Sequence, residues 1–107
     1  MPLFSFIVIA YNVSAYIETC LDSLKKQKGA EYEIIVVNDA STDDTLDTIY
    51  RCAADDSRFH VINKKTNGGA HLARRDGVLS SSGRFIVFVD GDDELSPSFC
   101  ELMGPYV

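Results

Sequence analysis

Four short apolar runs, separated by longer amphipathic segments, constrain the fold of this chain more than any other feature. The runs are LFSFIVIA (3–10), YEIIVVN (32–38), FHVIN (59–63) and RFIVFVD (84–90). The second and fourth are almost continuously apolar, which is typical of parallel strands buried on both faces of a sheet. The segments between the runs are long enough for the crossovers that parallel strands require. The sequence therefore predicts an α/β fold with the order β-α-β-α-β-α-β and right-handed connections.

The three intervening segments are predicted to be helices, because their apolar or small residues recur at spacings of three and four. These residues are Ile17, Cys20, Leu21 and Leu24 in the first helix, Leu46, Ile49, Tyr50 and Ala53 in the second, and Ala70, Ala73 and Gly77 in the third. The small residues of the third would allow that helix to lie close to the sheet.

Capping residues predict where the helices begin. Ser14 is the expected N-cap of the first helix, and Ser41 or Thr42 that of the second. A short last helix is expected to start at Ser96–Pro97, since proline suits the first helical position.

The charge and the cysteine content exclude several classes of protein. The formal net charge of −6 over 107 residues argues against broad binding to nucleic acid or to an anionic membrane surface. Cys20, Cys52 and Cys100 lack the spacing of a zinc site, so we expect buried, reduced thiols. The apolar run at the N-terminus is too short for a signal peptide or a membrane span. These features predict a cytoplasmic location.

Polar residues follow three of the predicted strands. Ala10-Tyr11-Asn12 ends the first, Asn38-Asp39 ends the second, and Asp90-Gly91-Asp92-Asp93 ends the fourth. Ligands of open parallel sheets bind beyond the carboxyl ends of the strands, so we expect these residues to converge on one site. Nearby residues can cap the following helix, which would leave Asp39 spare to accept hydrogen bonds from a base or a ribose. The absence of a GxGxxG motif argues against dinucleotide binding.

Asp90, Asp92 and Asp93 are three carboxylates within four positions of a predicted strand end. A solvated turn would need only one of them before Gly91. Holding three together is costly unless a cation lies between them, and hard oxygen ligands favour Mg²⁺ or Mn²⁺. A cation there could also neutralise a diphosphate. Arg74, in the preceding helix, is predicted to reach toward the phosphates, whereas Arg75 is predicted to be solvated.

Together, these segments resemble the N-terminal half of the family 2 glycosyltransferases. The stretch SFIVIAYN is similar to the family's first strand and Pro-x-Tyr-Asn turn, and EIIVVNDASTDDT is similar to EIIVVDDGSTDGT. NGGAHLARRDGVLSSSGRFIVFVDGDDEL resembles the family segment that ends in the D-x-D motif. This chain departs from the family pattern at three positions: it has Ile9 in place of proline, Asn38 in place of aspartate and Arg75 in place of asparagine.

The resemblance implies a Rossmann-like three-layer sandwich of the GT-A type and a defined set of site residues. The residues implied to bind the nucleotide are Ala10, Tyr11, Asn12, Asp39, Arg74 and Asp90. Asp92 and Asp90 are implied to hold Mg²⁺ or Mn²⁺, with Asp93 in a supporting role.

The implied reaction is transfer of a sugar, with inversion, from a nucleotide-diphosphate donor to a hydroxyl of a saccharide or lipid-linked acceptor, as in polysaccharide biosynthesis. In this family the general base is a carboxylate of the C-terminal half, and no residue of this chain corresponds to it. Residues 1–107 are therefore expected to be the nucleotide-binding part of a longer domain, inactive alone. Because the last strand would lack the neighbours that the rest of the domain supplies, we expect an exposed sheet edge and a tendency to self-associate.

The residues also allow two other functions. One is a non-catalytic doubly wound module that uses the acidic cluster for metal binding or regulation. The other is a Mg²⁺-dependent phosphatase with an aspartyl nucleophile. The phosphatase chemistry usually starts from the first strand, which here ends without a carboxylate.

Overall fold

The computed structural model describes residues 2–107 and has the predicted order of strands and helices. The elements are β1 (Phe4–Ala10), α1 (Ile17–Lys25), β2 (Tyr32–Asp39), α2 (Thr45–Ala53), β3 (Phe59–Lys64), α3 (Gly69–Leu79), β4 (Phe85–Asp90), α4 (Phe99–Met103) and a 3₁₀ turn (Gly104–Tyr106). Within residues 2–107 the four strands form one parallel sheet in the order β3-β2-β1-β4. The predicted α/β fold is confirmed.

Helices cover both faces of the sheet, which makes three layers. On one face, side chains of β1 and β2 such as Phe6 and Val36 pack with those of α1, α2 and α4. On the other face, Ile7 packs with Ala73 of α3, and a Cβ added to Gly77 would lie 2.4 Å from Ile7 Cγ2. The close approach predicted for α3 is thus confirmed for Ala73 and Gly77, whereas Ala70 is exposed.

The central and edge strands differ in burial more than their sequences suggest. All eight residues of β2 are buried, as predicted. The same prediction was wrong for β4, whose exposed side chains include Phe85, Ile86 and Phe88. These side chains are exposed because β4 is an edge strand, which pairs only with β1 in the described sheet.

The predicted caps of α1 and α2 were wrong, because both helices begin later in the chain than those caps require. Helix α1 begins at Ile17, three residues after Ser14, and α2 begins at Thr45. The Ser14 N–H donates to Asp43 Oδ2 at 3.3 Å, and the Thr45 N–H donates to Asp43 Oδ1 at 2.9 Å. Asp43 therefore joins the start of α2 to the loop before α1.

Two further details of the helices differ from the prediction. Tyr50 is half exposed instead of facing the core, whereas Ile49 and Cys52 of α2 are buried. Helix α4 begins at Phe99, later than the predicted Ser96–Pro97. The burial of Ile17, Cys20, Leu21 and Leu24 of α1 is confirmed.

All three cysteines are buried and free, as predicted. No helix within residues 2–107 combines the length and the apolar character that crossing a bilayer requires.

Glu33 is a buried carboxylate near the amino ends of the strands. It accepts hydrogen bonds from Ser5 Oγ at 2.5 Å, from the Ser82 N–H at 2.6 Å and from Ser82 Oγ at 3.0 Å. Burial alone would raise the pKa of Glu33, but the hydrogen bonds from Ser5 and Ser82 outweigh it, so the pKa lies below its ordinary value. The ionised side chain therefore ties β1, β2 and the loop before β4 together.

We expect Glu33→Gln to lower the free energy of unfolding by about 1–3 kcal/mol at neutral pH, because an amide cannot accept all of these bonds. A carboxyl whose pKa is lower in the folded state stabilises above its unfolded pKa, and this contribution is lost as the pH falls through the folded pKa. The difference between variant and wild type should therefore shrink in acid. Urea unfolding at several pH values measures it.

Glu18→Gln is the matched control. Glu18 pairs with Arg51 at 3.1 Å, but both side chains are more than half exposed. Such pairs contribute less than about 1 kcal/mol. If Glu33→Gln were no more destabilising than Glu18→Gln, the role given to the buried carboxylate would be wrong.

Candidate functional site

The carboxyl ends of β1, β2 and β4 meet at one edge of the sheet. Ala10 of β1 is paired with Asn38 of β2, and Ile9 of β1 is paired with Asp90 of β4. The three loops that carry the predicted site residues therefore leave the sheet side by side. The expected meeting of these strand ends at one sheet edge is confirmed, and that they form one binding site stays a prediction.

A hydrogen-bonded chain of short polar side chains joins the loops after β1 and β2. The Thr42 N–H donates to Asn12 Oδ1 at 2.8 Å, and the Asn12 N–H donates to Ser41 Oγ at 3.0 Å. Ser41 Oγ donates to Asn38 Oδ1 at 2.6 Å, and Asn38 Nδ2 donates to Asn63 Oδ1 at 3.0 Å. Asn12 is thus engaged in holding this edge, and Asn38 donates a bond that an aspartate could not.

The sequence predicts Ser41 as a helix cap and gives no signal for its role in this chain of bonds. Two residues beside it, Asn12 at φ 51° and Ala40 at φ 61°, have left-handed backbone conformations. For alanine this conformation costs about 1–2 kcal/mol. Strain of this kind accumulates at functional sites, where the surrounding contacts hold it in place.

Asp39 is engaged in the structure, so the premise that it is spare was wrong. Its side chain accepts hydrogen bonds from the Gly68 N–H and the Gly69 N–H, both at 3.0 Å, and only 2% of the residue is exposed. The carboxylate therefore fixes the turn from which α3 begins. Its contact with a nucleotide base stays a prediction.

The other predicted nucleotide-binding residues differ in accessibility. Tyr11 is 46% exposed at the sheet edge. Ala10 is fully buried in the core, backbone included, and its contact with a nucleotide stays a prediction. Arg74 lies in α3 with Nη2 at 3.9 Å from Asp90 Oδ1. Arg75 pairs with Asp76 at 3.4 Å and is 62% exposed, as predicted for a solvated side chain.

The loop after β4 brings three carboxylates together. One oxygen from each of Asp90, Asp92 and Asp93 lies within 4.8 Å of the others, and all three residues are exposed. The Asp93 N–H donates to the Asp90 carbonyl at 3.0 Å, and the Gly91 N–H donates to the Ile9 carbonyl at 2.9 Å. A Cβ on Gly91 would lie 3.0 Å from that same carbonyl oxygen, so the turn is held close to β1.

This cluster fits a hard divalent cation, because it offers several carboxylate oxygens within the reach of one ion and open to solvent. Cys20 lies beside this acidic cluster, and its Sγ donates to the Asp90 carbonyl at 3.6 Å. Burial, and then the carboxylates of Asp93, Asp92 and Asp90, raise the pKa of Cys20 to about 12. Because Cys20 is fully buried and the three aspartates are exposed, carboxylate oxygens are the donors that this loop presents to solvent.

The family model described as Glycosyl transferase family 2 matches residues 5–106. The chain belongs to this family. Among relatives of this glycosyltransferase chain, the putative glycosyltransferase EpsH of Bacillus subtilis is 42% identical over 102 residues, which are 95% of this chain and 29% of EpsH.

Solved glycosyltransferases share the GT-A fold of this chain. The crystal structure of S. aureus TarS 1–349 in complex with UDP-GlcNAc is 34% identical, with a TM-score of 0.89, over 96% of this chain and 30% of that one. Glucosyl-3-phosphoglycerate synthase from Mycobacterium tuberculosis, in complex with Mn²⁺, UDP and glucosyl-3-phosphoglycerate, is 27% identical with a TM-score of 0.77, over 98% of this chain and 39% of that one. The family 2 chain described here thus spans less than half the length of each of these proteins.

Proposed function

We propose that this chain carries the donor and metal site of an inverting glycosyltransferase. The substrate is a nucleoside-diphosphate sugar, and the acceptor is a hydroxyl of a saccharide or lipid-linked molecule. The single observation that carries the proposal is the convergence of the acidic loop with the loops after β1 and β2, in a chain of this family. Related structures that are described with UDP-GlcNAc, or with UDP and Mn²⁺, support a nucleotide donor.

Each group at the sheet edge has a role in this proposal. Asp92 and Asp90 hold Mg²⁺ or Mn²⁺, with Asp93 in support, and the bound ion compensates negative charge on the diphosphate. Arg74 adds a positive charge beside Asp90 and contacts the phosphates. Tyr11 packs against the base, and Asp39 keeps the start of α3 in place while contacting the base at its edge.

In the proposed reaction, the acceptor oxygen attacks the anomeric carbon as the bond from that carbon to the diphosphate oxygen breaks. The electron pair of the broken bond leaves with the diphosphate, and attack from the opposite side inverts the anomeric centre. The acceptor's proton passes to a carboxylate base. We place that base outside residues 1–107, because the acidic residues at this sheet edge are assigned to the leaving-group side.

Calorimetric titration of UDP, GDP and dTDP, each with and without Mn²⁺, tests the proposal on the 107-residue chain. At least one nucleotide is expected to bind about tenfold more tightly with Mn²⁺, because the cation joins the diphosphate to the acidic loop. If Mn²⁺ improved the binding of none of them, the donor site would be wrong. Binding of Mn²⁺ alone, without any nucleotide effect, would favour the metal-binding or regulatory module instead.

A further inference from the structure

A row of buried side chains with hydrogen-bonding groups runs along one face of α1 and continues just past its end. Cys20, Ser23 and Gln27 follow one another at spacings of three and four, and they are 0%, 8% and 5% exposed. These spacings make them neighbours on the helix surface. Burying a polar group is costly unless it is hydrogen-bonded, so the partners of this row show what the helix holds in place.

Two members of the row bond to the backbone of the acidic loop, residues 90–95. Cys20 Sγ donates to the Asp90 carbonyl at 3.6 Å, and Ser23 Oγ accepts from the Leu95 N–H at 3.1 Å. Ser23 Oγ also donates to the Cys20 carbonyl at 2.6 Å, which fixes the direction of the hydroxyl. The first and last residues of the acidic loop are thus both bonded to α1. Because a thiol is a weak donor, the bond to Ser23 is the stronger of the two.

Gln27 extends this attachment to the chain that follows the acidic loop. Its Nε2 donates to the Ser96 carbonyl at 2.6 Å, and its Oε1 accepts from the Cys100 N–H at 3.0 Å. The start of α1 also lies close to the acidic loop, since a Cβ on Gly91 would be 3.3 Å from Ile17 Cδ1. The acidic loop and the segment after it are therefore held against α1 from the first turn of the helix to its end.

We propose that Ser23 is a positioning residue for the cation, although it is not itself a ligand. This role rests on the proposed function, in which Asp92 and Asp90 hold Mg²⁺ or Mn²⁺. Three carboxylates with oxygens within 4.8 Å of one another repel, and before a cation binds this repulsion favours an open loop. The bond from the Leu95 N–H to Ser23 opposes the opening, so the ligands are already close together when the ion arrives.

Ser23→Ala tests this role, because it removes the acceptor of the Leu95 N–H and puts a good helix former in α1. The quantity to compare is the metal-dependent gain, which is the ratio of nucleotide affinity with Mn²⁺ to nucleotide affinity without it. Calorimetric titration of UDP, GDP and dTDP gives both affinities. For the nucleotide that Mn²⁺ favours most, we expect a gain of about tenfold in the wild-type chain and about threefold in Ser23→Ala, with the metal-free affinity unchanged.

Ser5→Ala is the matched control, since it deletes the same hydroxyl from a buried serine near the amino ends of the strands. It is expected to lower the stability but to keep the tenfold gain, which separates positioning of the loop from a general loss of stability. Ser23→Thr restores the hydroxyl and should recover most of the gain. The surface depression that Ser23 lines with Lys26 and Pro97 offers room for the added methyl group.

Amide hydrogen exchange, followed by NMR without any metal, reports the order of the loop directly. The Leu95 N–H donates to Ser23, and the Asp93 N–H donates to the Asp90 carbonyl at 3.0 Å. We expect both amides to exchange about tenfold faster in Ser23→Ala than in the wild-type chain, and no such change in Ser5→Ala.

The outcomes distinguish the role of Ser23 from the proposed function itself. A full tenfold gain in Ser23→Ala, unchanged exchange at Leu95, or a lost gain that Ser23→Thr does not recover would each overturn the positioning role and leave the donor site standing. A wild-type chain in which Mn²⁺ improves the binding of no nucleotide would instead contradict the proposed function, and the positioning role with it.

Discussion

Asp92→Asn is expected to reduce the nucleotide affinity measured with Mn²⁺ by about tenfold, down to the metal-free value, and to leave the metal-free affinity nearly unchanged. Magnesium and manganese sites of this type use only one or two carboxylates, so the loss of one removes much of the protein's contribution. The substitution preserves shape, and Asp92 is exposed, so the fold should persist. Calorimetric titration with Mn²⁺ held constant measures the change.

The control for the change of charge is Asp47→Asn, an exposed residue in the first turn of α2. It alters the net charge by the same amount outside the acidic loop, and its effect on nucleotide binding should be small. Asp93→Asn should have an intermediate effect, as suits a supporting residue. Retention of full Mn²⁺-dependent affinity in Asp92→Asn would show that Asp92 is not a ligand, even if the nucleotide binds elsewhere at this edge.

The positions of the strands were predictable to within a residue or so, whereas their places in the sheet were not. Apolar runs mark burial locally, so the bounds of β2 and β4 could be predicted from sequence alone. The order β3-β2-β1-β4 depends on how the crossovers return across the sheet, and neighbouring residues carry no signal for this. The two strands therefore looked alike in sequence, although one is central and the other is at the edge.

The acidic loop was predictable because its three carboxylates are close in sequence. The engagement of Asp39 was not, since its hydrogen-bond partners, Gly68 and Gly69, follow about thirty residues later. The same dependence on partners that are distant in sequence explains why the predicted N-caps of α1 and α2 were wrong. Serine is a residue type favoured at helix N-caps, but at Ser14 and Ser41 contacts between loops take precedence at this edge.

The hydrogen bonds of Asp39 also connect the parts of the proposed site. They fix the turn that begins α3, and α3 carries Arg74 beside Asp90. The loop after β2 and the acidic loop after β4 are thus joined through one helix, as well as through the sheet. A change at Asp39 is therefore expected to affect phosphate contacts in addition to any contact with the base.

Gly83→Ala is expected to have the largest effect on stability, a loss of about 3 kcal/mol in the free energy of unfolding. A Cβ at this position would lie 2.4 Å from Ser5 Oγ, 2.7 Å from Ser5 N and 2.8 Å from the carbonyl carbon of Phe4. The first of these atoms belongs to a side chain, but the others are backbone atoms. They lie in β1, which is paired on both sides and cannot move without disturbing β2 or β4.

The clash would also break the bond from the Gly83 N–H to Ser5 Oγ, at 2.8 Å, and so disturb the group around Glu33. Gly104→Ala is the control, because the nearest atom to its added Cβ is 3.7 Å away and its effect should stay within about 0.5 kcal/mol. Urea unfolding of both variants at neutral pH measures the difference. If Gly83→Ala unfolded at the same urea concentration as Gly104→Ala, the backbone of β1 would have to be far more adaptable than its central position implies.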